Sequence, residues 1–216
     1  KQQQCNFKHE EDVDRLLTYV ETHFPGIPLH SVEAEKKLAE KEKRLAEKYK
    51  GLILSEDAEA TVKSLEKAKK YLEEKGYVDH IIELEDSSAT VELAAQALGV
   101  EPGMIAKTLS FLIGDTPILI LTEGTAKVDN RKYKDLFHVK AKMIPFGEVE
   151  EYIGHAPGGV CPFGIKEGIP VYLDESLRKF DIVYPAAGND HSAVKLTIAE
   201  LESVSVAKKW VDVCKE

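Results

Sequence analysis

The segment Gly154-His155-Ala156-Pro157-Gly158-Gly159-Val160-Cys161-Pro162-Phe163-Gly164 places four glycines and two prolines in eleven residues. That is too much backbone punctuation for a helix or a strand. Glycine lets main-chain N–H groups approach a ligand closely and adopt positive φ. Proline fixes the shape of a loop without adding a donor. A loop of this composition suits recognition by main-chain donors, including stabilisation of a developing oxyanion. A surface turn has the same composition, so its company matters. Ala106-Lys107-Thr108-Leu109 lies upstream and Ala186-Ala187-Gly188-Asn189 downstream.

Lys107 sits in an apolar setting between Ile105-Ala106 and Leu109-Phe111. It reads either as a snorkelling surface lysine or as a cation aimed at a phosphate or an ester. Thr108 either contacts a ligand or simply favours a strand. Cys161 has His155 and His191 as possible bases, which would make a thiol hydrolase or transferase; free cysteine is more often a small buried hydrophobe. The seven histidines show no paired ligand spacing, so no metal and no other cofactor is expected.

The 216 residues are 43% hydrophobic and 31% charged, enough for one good core plus an appendage. No apolar run is long enough to span a membrane and no signal-peptide pattern opens the chain. Three widely spaced cysteines, Cys5, Cys161 and Cys214, form no disulfide framework, which predicts a reducing cytoplasm. Of the net charge of −9, residues 1–76 carry −1 and residues 77–216 carry −8. An acidic body argues against DNA and against indiscriminate nucleic-acid binding. One stretch departs from it: Lys127, Arg131, Lys132, Lys134, Lys140 and Lys142 face only Asp129 and Asp135, a local +4. It reads as a solvated helix face or as a contact for a phosphate backbone.

The elements that must position these residues fall into two parts. Residues 1–76 read as a helical arm, a hairpin or coiled-coil-like pair. A helix over 7–23 stops at Phe24-Pro25-Gly26-Ile27-Pro28. Ser31 caps a charged helix to about Lys50, with Glu33–Lys37 and Glu40–Arg44 pairs. Ser55 caps a third helix to about Lys75 with Ala58, Val62, Leu65 and Leu72 on one stripe, narrow enough to need packing on the body or a partner. Residues 77–216 read as an α/β domain. Strands are expected at 80–84, 105–113, 118–121, 182–184, 193–196 and 210–213, and helices at 130–137 (capped by Asn130), 147–153 and 197–201. Ser87 or Ser88 caps a helix through Leu98, ended by Gly99. No G-x-G-x-x-G follows the first strand, so a mixed, strongly curved sheet is expected rather than Rossmann winding.

Residues from about 78 to 215 resemble the YbaK-type editing domains, also found inserted in or associated with prolyl-tRNA synthetases. The pieces occur in family order: Ile105-Ala106-Lys107-Thr108-Leu109, Ile118 to Thr122, Lys127-Val128-Asp129, the G-x-x-x-P-like Gly158-Gly159-Val160-Cys161-Pro162-Phe163-Gly164, Val171-Tyr172-Leu173-Asp174, and Ala186-Ala187-Gly188. The resemblance covers about two thirds of the chain and not the arm. It implies the YbaK-like fold and hydrolysis of mischarged aminoacyl-tRNA, with alanyl- or cysteinyl-tRNA for proline among the family's substrates. A synthetase pocket rejects a smaller amino acid only about 10–200-fold per methylene, so a second sieve is needed. The resemblance implies no metal and no protein nucleophile: the 3′ end is positioned, and the substrate's own groups or an ordered water attack.

By that resemblance Lys107, Gly158 and Gly159 carry the catalysis. Thr108, Pro162, Gly188, Asn189 and His191 hold the aminoacyl-adenosine, and Lys127, Arg131, Lys132 and Lys134 face the tRNA backbone. Mischarged tRNA, and a prolyl-tRNA synthetase, are the implied partners. Two departures bear on specificity: Asn189, Asp190 and His191 replace the basic and glycine residues common in that turn, and Ser192–Leu196 offers no acid. A different class remains open: a module that binds an aminoacyl-nucleotide, tRNA or a synthetase without turnover.

Overall fold

The computed structural model describes residues 56–215. The two earlier helices of the expected arm lie outside the described residues. The first described element is α1 (Glu56–Glu74). It packs into the body: Ala68 and Leu72 are fully buried in the main core, and burial of Leu72 alone is worth about 2 kcal/mol. The buried face runs Ser64–Ala68–Leu72, at i, i+4, i+8. Val62, expected on the apolar stripe, is 55% exposed instead.

The other elements are β1 (Ile81–Glu83), α2 (Val91–Leu98), β2 (Ile105–Ile113), β3 (Thr116–Thr122), α3 (Asn130–Phe137), α4 (Val149–Ile153), β4 (Val171–Asp174), β5 (Ile182–Pro185), β6 (Ser192–Val194), β7 (Leu196–Thr197), α5 (Ile198–Val204) and β8 (Lys209–Val211). The fold is mixed α/β. A six-stranded sheet has the order β7-β5-β2-β3-β4-β8, and β1 pairs with β6 in a separate two-stranded ribbon. β2 and β3 form an antiparallel hairpin, while β2–β5, β3–β4 and β4–β8 run parallel. This is the mixed curved sheet with surrounding helices that the sequence leads one to expect.

Alternation along the strands sends neighbours to opposite faces. Ala106, Leu112, Leu119, Leu121, Val171 and Leu173 face the main core with α1 and the glycine loop. Phe111, Ile118, Ile120, Tyr172 and Val211 face a second core closed by Tyr133 of α3.

Several caps differ from expectation. Thr90, not Ser87 or Ser88, accepts the Leu93 N–H at the start of α2. Asp129, not Asn130, accepts the N–H groups of Arg131 and Lys132. Gly99 ends α2 in the left-handed conformation, as expected. Thr197 and Glu200 form a reciprocal capping box on α5.

Candidate functional site

Three backbone segments meet at the glycine loop. A Cβ on Gly159 would stand 2.1 Å from the Gly188 carbonyl oxygen and 3.0 Å from the Asn189 Cα. A Cβ on Gly188, whose φ is +97°, would stand 2.4 Å from the Ser64 carbonyl oxygen of α1. Both positions need glycine because main chain occupies the space a side chain would fill. α1 also grips the loop through side chains. Ser64 Oγ accepts the Ala156 N–H at 2.7 Å, and Lys67 Nζ donates to the Gly154 carbonyl at 2.8 Å.

Within the loop, the Gly159 N–H donates to the Ala156 carbonyl at 3.1 Å. The donor expected from Gly159 is therefore engaged in the loop's own turn. Gly158 is exposed, has φ +86°, and its Cβ position opens on space. Among the described residues its N–H has no partner, so it is free to meet a ligand. Pro162 is buried.

The Cys161 thiol does not offer a nucleophile. Cys161 is fully buried, and burial pushes its thiol up to about 12. It lies 3.6 Å from the Phe163 carbonyl oxygen and 3.7 Å from His155 Nε2. His155 is itself buried, with Nε2 2.7 Å from that same carbonyl oxygen, and burial lowers its pKa to about 4. The thiol stays protonated at neutral pH, so the Cys161-dependent hydrolase reading is set aside in favour of a structural core.

Lys107 leaves the sheet on the face opposite Ala106 and Thr108. It sits one residue beyond the last β2–β5 pair, Ala106–Pro185, and opposite Thr122. Its ammonium donates to the Gly124 carbonyl at 2.8 Å and to the Ala126 carbonyl. Burial lowers its pKa below the ordinary lysine value, and the carboxylates of Glu123 and Glu92 pull the other way. Glu123 holds its own loop by accepting the Thr125 N–H and hydroxyl, both at 2.8 Å. Thr108 points to the opposite face, and its buried hydroxyl has no hydrogen-bond partner.

The turn after β5 brings Gly188, Asn189 and His191 together. Asn189 Oδ1 accepts the His191 N–H at 3.0 Å and the Ser192 hydroxyl at 2.6 Å. Sequence reasoning missed Ser87, on the approach to α2, and Glu92 in its first turn. Ser87 donates to Asp190 and Glu92 acts on Lys107, so this segment borders both. The only signal was a serine pair that reads equally well as a helix cap.

The basic stretch is partly neutralised. Lys132 pairs with Asp212 at 2.9 Å, and Arg131 lies 3.9 Å from Asp135. Lys127, Arg131 and Lys134 are exposed. No helix among the described residues is long and apolar enough to cross a membrane.

A family model described as the aminoacyl-tRNA editing domain matches residues 85–204. The uncharacterised protein YwhH of Bacillus subtilis is 50% identical over 137 residues, 63% of this chain and 87% of that protein. A provisionally named Cys-tRNA(Pro)/Cys-tRNA(Cys) deacylase of Enterococcus faecalis is 27% identical over 122 residues, 56% of this chain and 74% of that protein. A crystal structure described, again provisionally, as a trans-editing enzyme for prolyl tRNA synthetase superposes with a TM-score of 0.65 at 32% identity, covering 71% of this chain and 98% of that one.

Proposed function

The chain belongs to the aminoacyl-tRNA editing domain family, and we propose that it is a trans-acting deacylase that hydrolyses the ester of a mischarged tRNA, with alanyl- or cysteinyl-tRNA for proline as the substrate class. Membership of a family of editing deacylases supports hydrolase activity in general. The observation that carries the finer reading is the close main-chain junction of Gly159 with Gly188 and Asn189, next to which Gly158 is exposed.

In this reading Gly158 N–H meets the developing oxyanion, and Gly159 gives the loop the close packing that fixes it. Thr108, with its unpartnered hydroxyl, and Pro162, Asn189 and His191 border the aminoacyl-adenosine, and Gly188 lets its backbone approach. Lys107 already holds the loop after β3 through two carbonyls. It gives up one of them to the phosphate or the ester when the 3′ end arrives. An activated ester is labile, so orientation and oxyanion stabilisation supply most of the acceleration without a protein nucleophile. Lys127, Arg131 and Lys134 guide the tRNA backbone, with Lys132 tied to Asp212. The reaction belongs in the cytoplasm, where charged tRNA is made, with a prolyl-tRNA synthetase as the upstream partner. We propose residues 1–76 as the N-terminal helical arm, of which α1 lies among the described residues.

The test is incubation of the full chain with a panel of mischarged tRNAs, scored for ester loss. Ester loss from alanyl- or cysteinyl-tRNA for proline supports the reading. Binding without ester loss would favour a non-catalytic module.

A further inference from the structure

The turn between β5 and β6 carries more hydrogen bonding than a connector needs. Asp190 uses both carboxylate oxygens: Oδ2 accepts the Ser87 hydroxyl at 3.0 Å, and Oδ1 lies 2.9 Å from His191 Nδ1. The main chain is tied at the same two residues. The Ser88 N–H donates to the Asp190 carbonyl at 2.6 Å, and the Leu84 N–H to the His191 carbonyl at 2.8 Å. Asn189 closes the turn from its other side through the His191 N–H.

A carboxylate beside Nδ1 favours the neutral tautomer with its proton on Nδ1 and leaves the Nε2 lone pair as acceptor. The His191 side chain is 24% exposed, and among the described residues nothing bonds its Nε2. His155 differs: it is fully enclosed and its Nε2 is engaged with the Phe163 carbonyl. His191 is thus held by an orienting acid, keeps a free acceptor nitrogen, and lies three residues from the Gly188 backbone that packs on the glycine loop. A base and its orienter, on the turn whose backbone packs against the glycine loop, are parts that water-mediated acyl transfer requires.

We propose that His191 is the proton acceptor for the water that attacks the ester, and that Asp190, anchored by Ser87, is its positioning residue; this rests on the deacylase reading above. As the water oxygen bonds to the carbonyl carbon, one water proton passes to Nε2. The carbonyl π electrons move onto oxygen, which the Gly158 N–H meets. Collapse breaks the bond from that carbon to the ribose oxygen, and the imidazolium returns the proton to that oxygen. The free amino acid and an uncharged tRNA leave.

The experiment measures steady-state kcat and KM for the full chain on the mischarged tRNA that the wild type hydrolyses fastest, with melting temperature recorded for each variant. His191→Ala removes the base. His191→Gln keeps a donor for Asp190 but no acceptor that can take up a proton at neutral pH. Both are expected to lower kcat by about 100-fold or more, with a much smaller change in KM. Added imidazole is expected to raise the His191→Ala rate by about tenfold or more and to leave the wild type unchanged. Asp190→Asn, which disfavours the competent tautomer, is expected to lower kcat by about tenfold or more. A folded His191→Ala or His191→Gln protein within about threefold of wild-type kcat, or a His191→Ala loss that imidazole does not restore, overturns the assignment while the deacylase reading stands. A wild type that hydrolyses no mischarged tRNA overturns both.

Discussion

Gly159 and Gly188 touch through their main chains: a Cβ on Gly159 would come within 2.1 Å of the Gly188 carbonyl oxygen. A real Cβ cannot sit there, so Gly159→Ala must push the loop and the β5–β6 turn apart. The expected cost is about 1–3 kcal/mol, in the range of core overpacking, with most of the deacylation lost. Gly158→Ala meets open space and is strained only through its φ of +86°, for about 1 kcal/mol. Urea unfolding of the two variants checks the order. Equal stabilities would place the constraint elsewhere.

β2 and β4 show how far local pattern reaches. β2 was legible to the residue because nine positions, six of them apolar, end in Gly114. β4 carries a buried strand in only four residues, followed by a 3-10 turn over Glu175–Lys179, too short for periodicity to separate from a loop. Ser87 was read as a cap because caps are local; its partner Asp190 lies 103 residues on. Lys107, Thr108 and the glycines were legible as residue types in an ordered set. That Gly159 spends its N–H on Ala156 and Lys107 its ammonium on two carbonyls depends on loop geometry that no spacing encodes.

Lys107→Ala removes a half-buried ammonium from the Gly124 and Ala126 carbonyls. Both carbonyls belong to buried residues, so the stability loss is expected to be about 1–3 kcal/mol. Deacylation is expected to fall by about tenfold or more, because the cation orients the ligand. Steady-state kinetics beside a thermal melt separate the two effects. Full activity in a folded variant removes Lys107 from the mechanism.

His155 predicts an acid-sensitive fold. Burial lowers its pKa to about 4 in the folded state, while the unfolded chain titrates near 6.5. Between these values the unfolded state binds more protons, so stability rises with pH across that window. The contribution is full above about pH 6.5 and is lost as pH falls toward 4, on the order of 3 kcal/mol. Urea midpoints across this range are expected to fall with acid in the wild type and to fall less in His155→Gln, which can still donate to the Phe163 carbonyl.

The basic stretch is expected to matter for the body of the tRNA and not for its 3′ end. Arg131→Glu with Lys134→Glu reverses two exposed cations and should raise KM for full-length tRNA while sparing a short aminoacyl-nucleotide mimic. Few phosphates are engaged, so log affinity against log salt should have a shallow slope, about −2 to −3. Equal effects on both substrates would place these residues at the active site.

The most direct measurement is ester loss from mischarged tRNA by the wild-type chain. Alanyl- or cysteinyl-tRNA for proline should lose its amino acid far faster than without protein, while correctly charged prolyl-tRNA survives. Ester lifetimes that are the same with and without the protein, across the whole panel, would contradict the account.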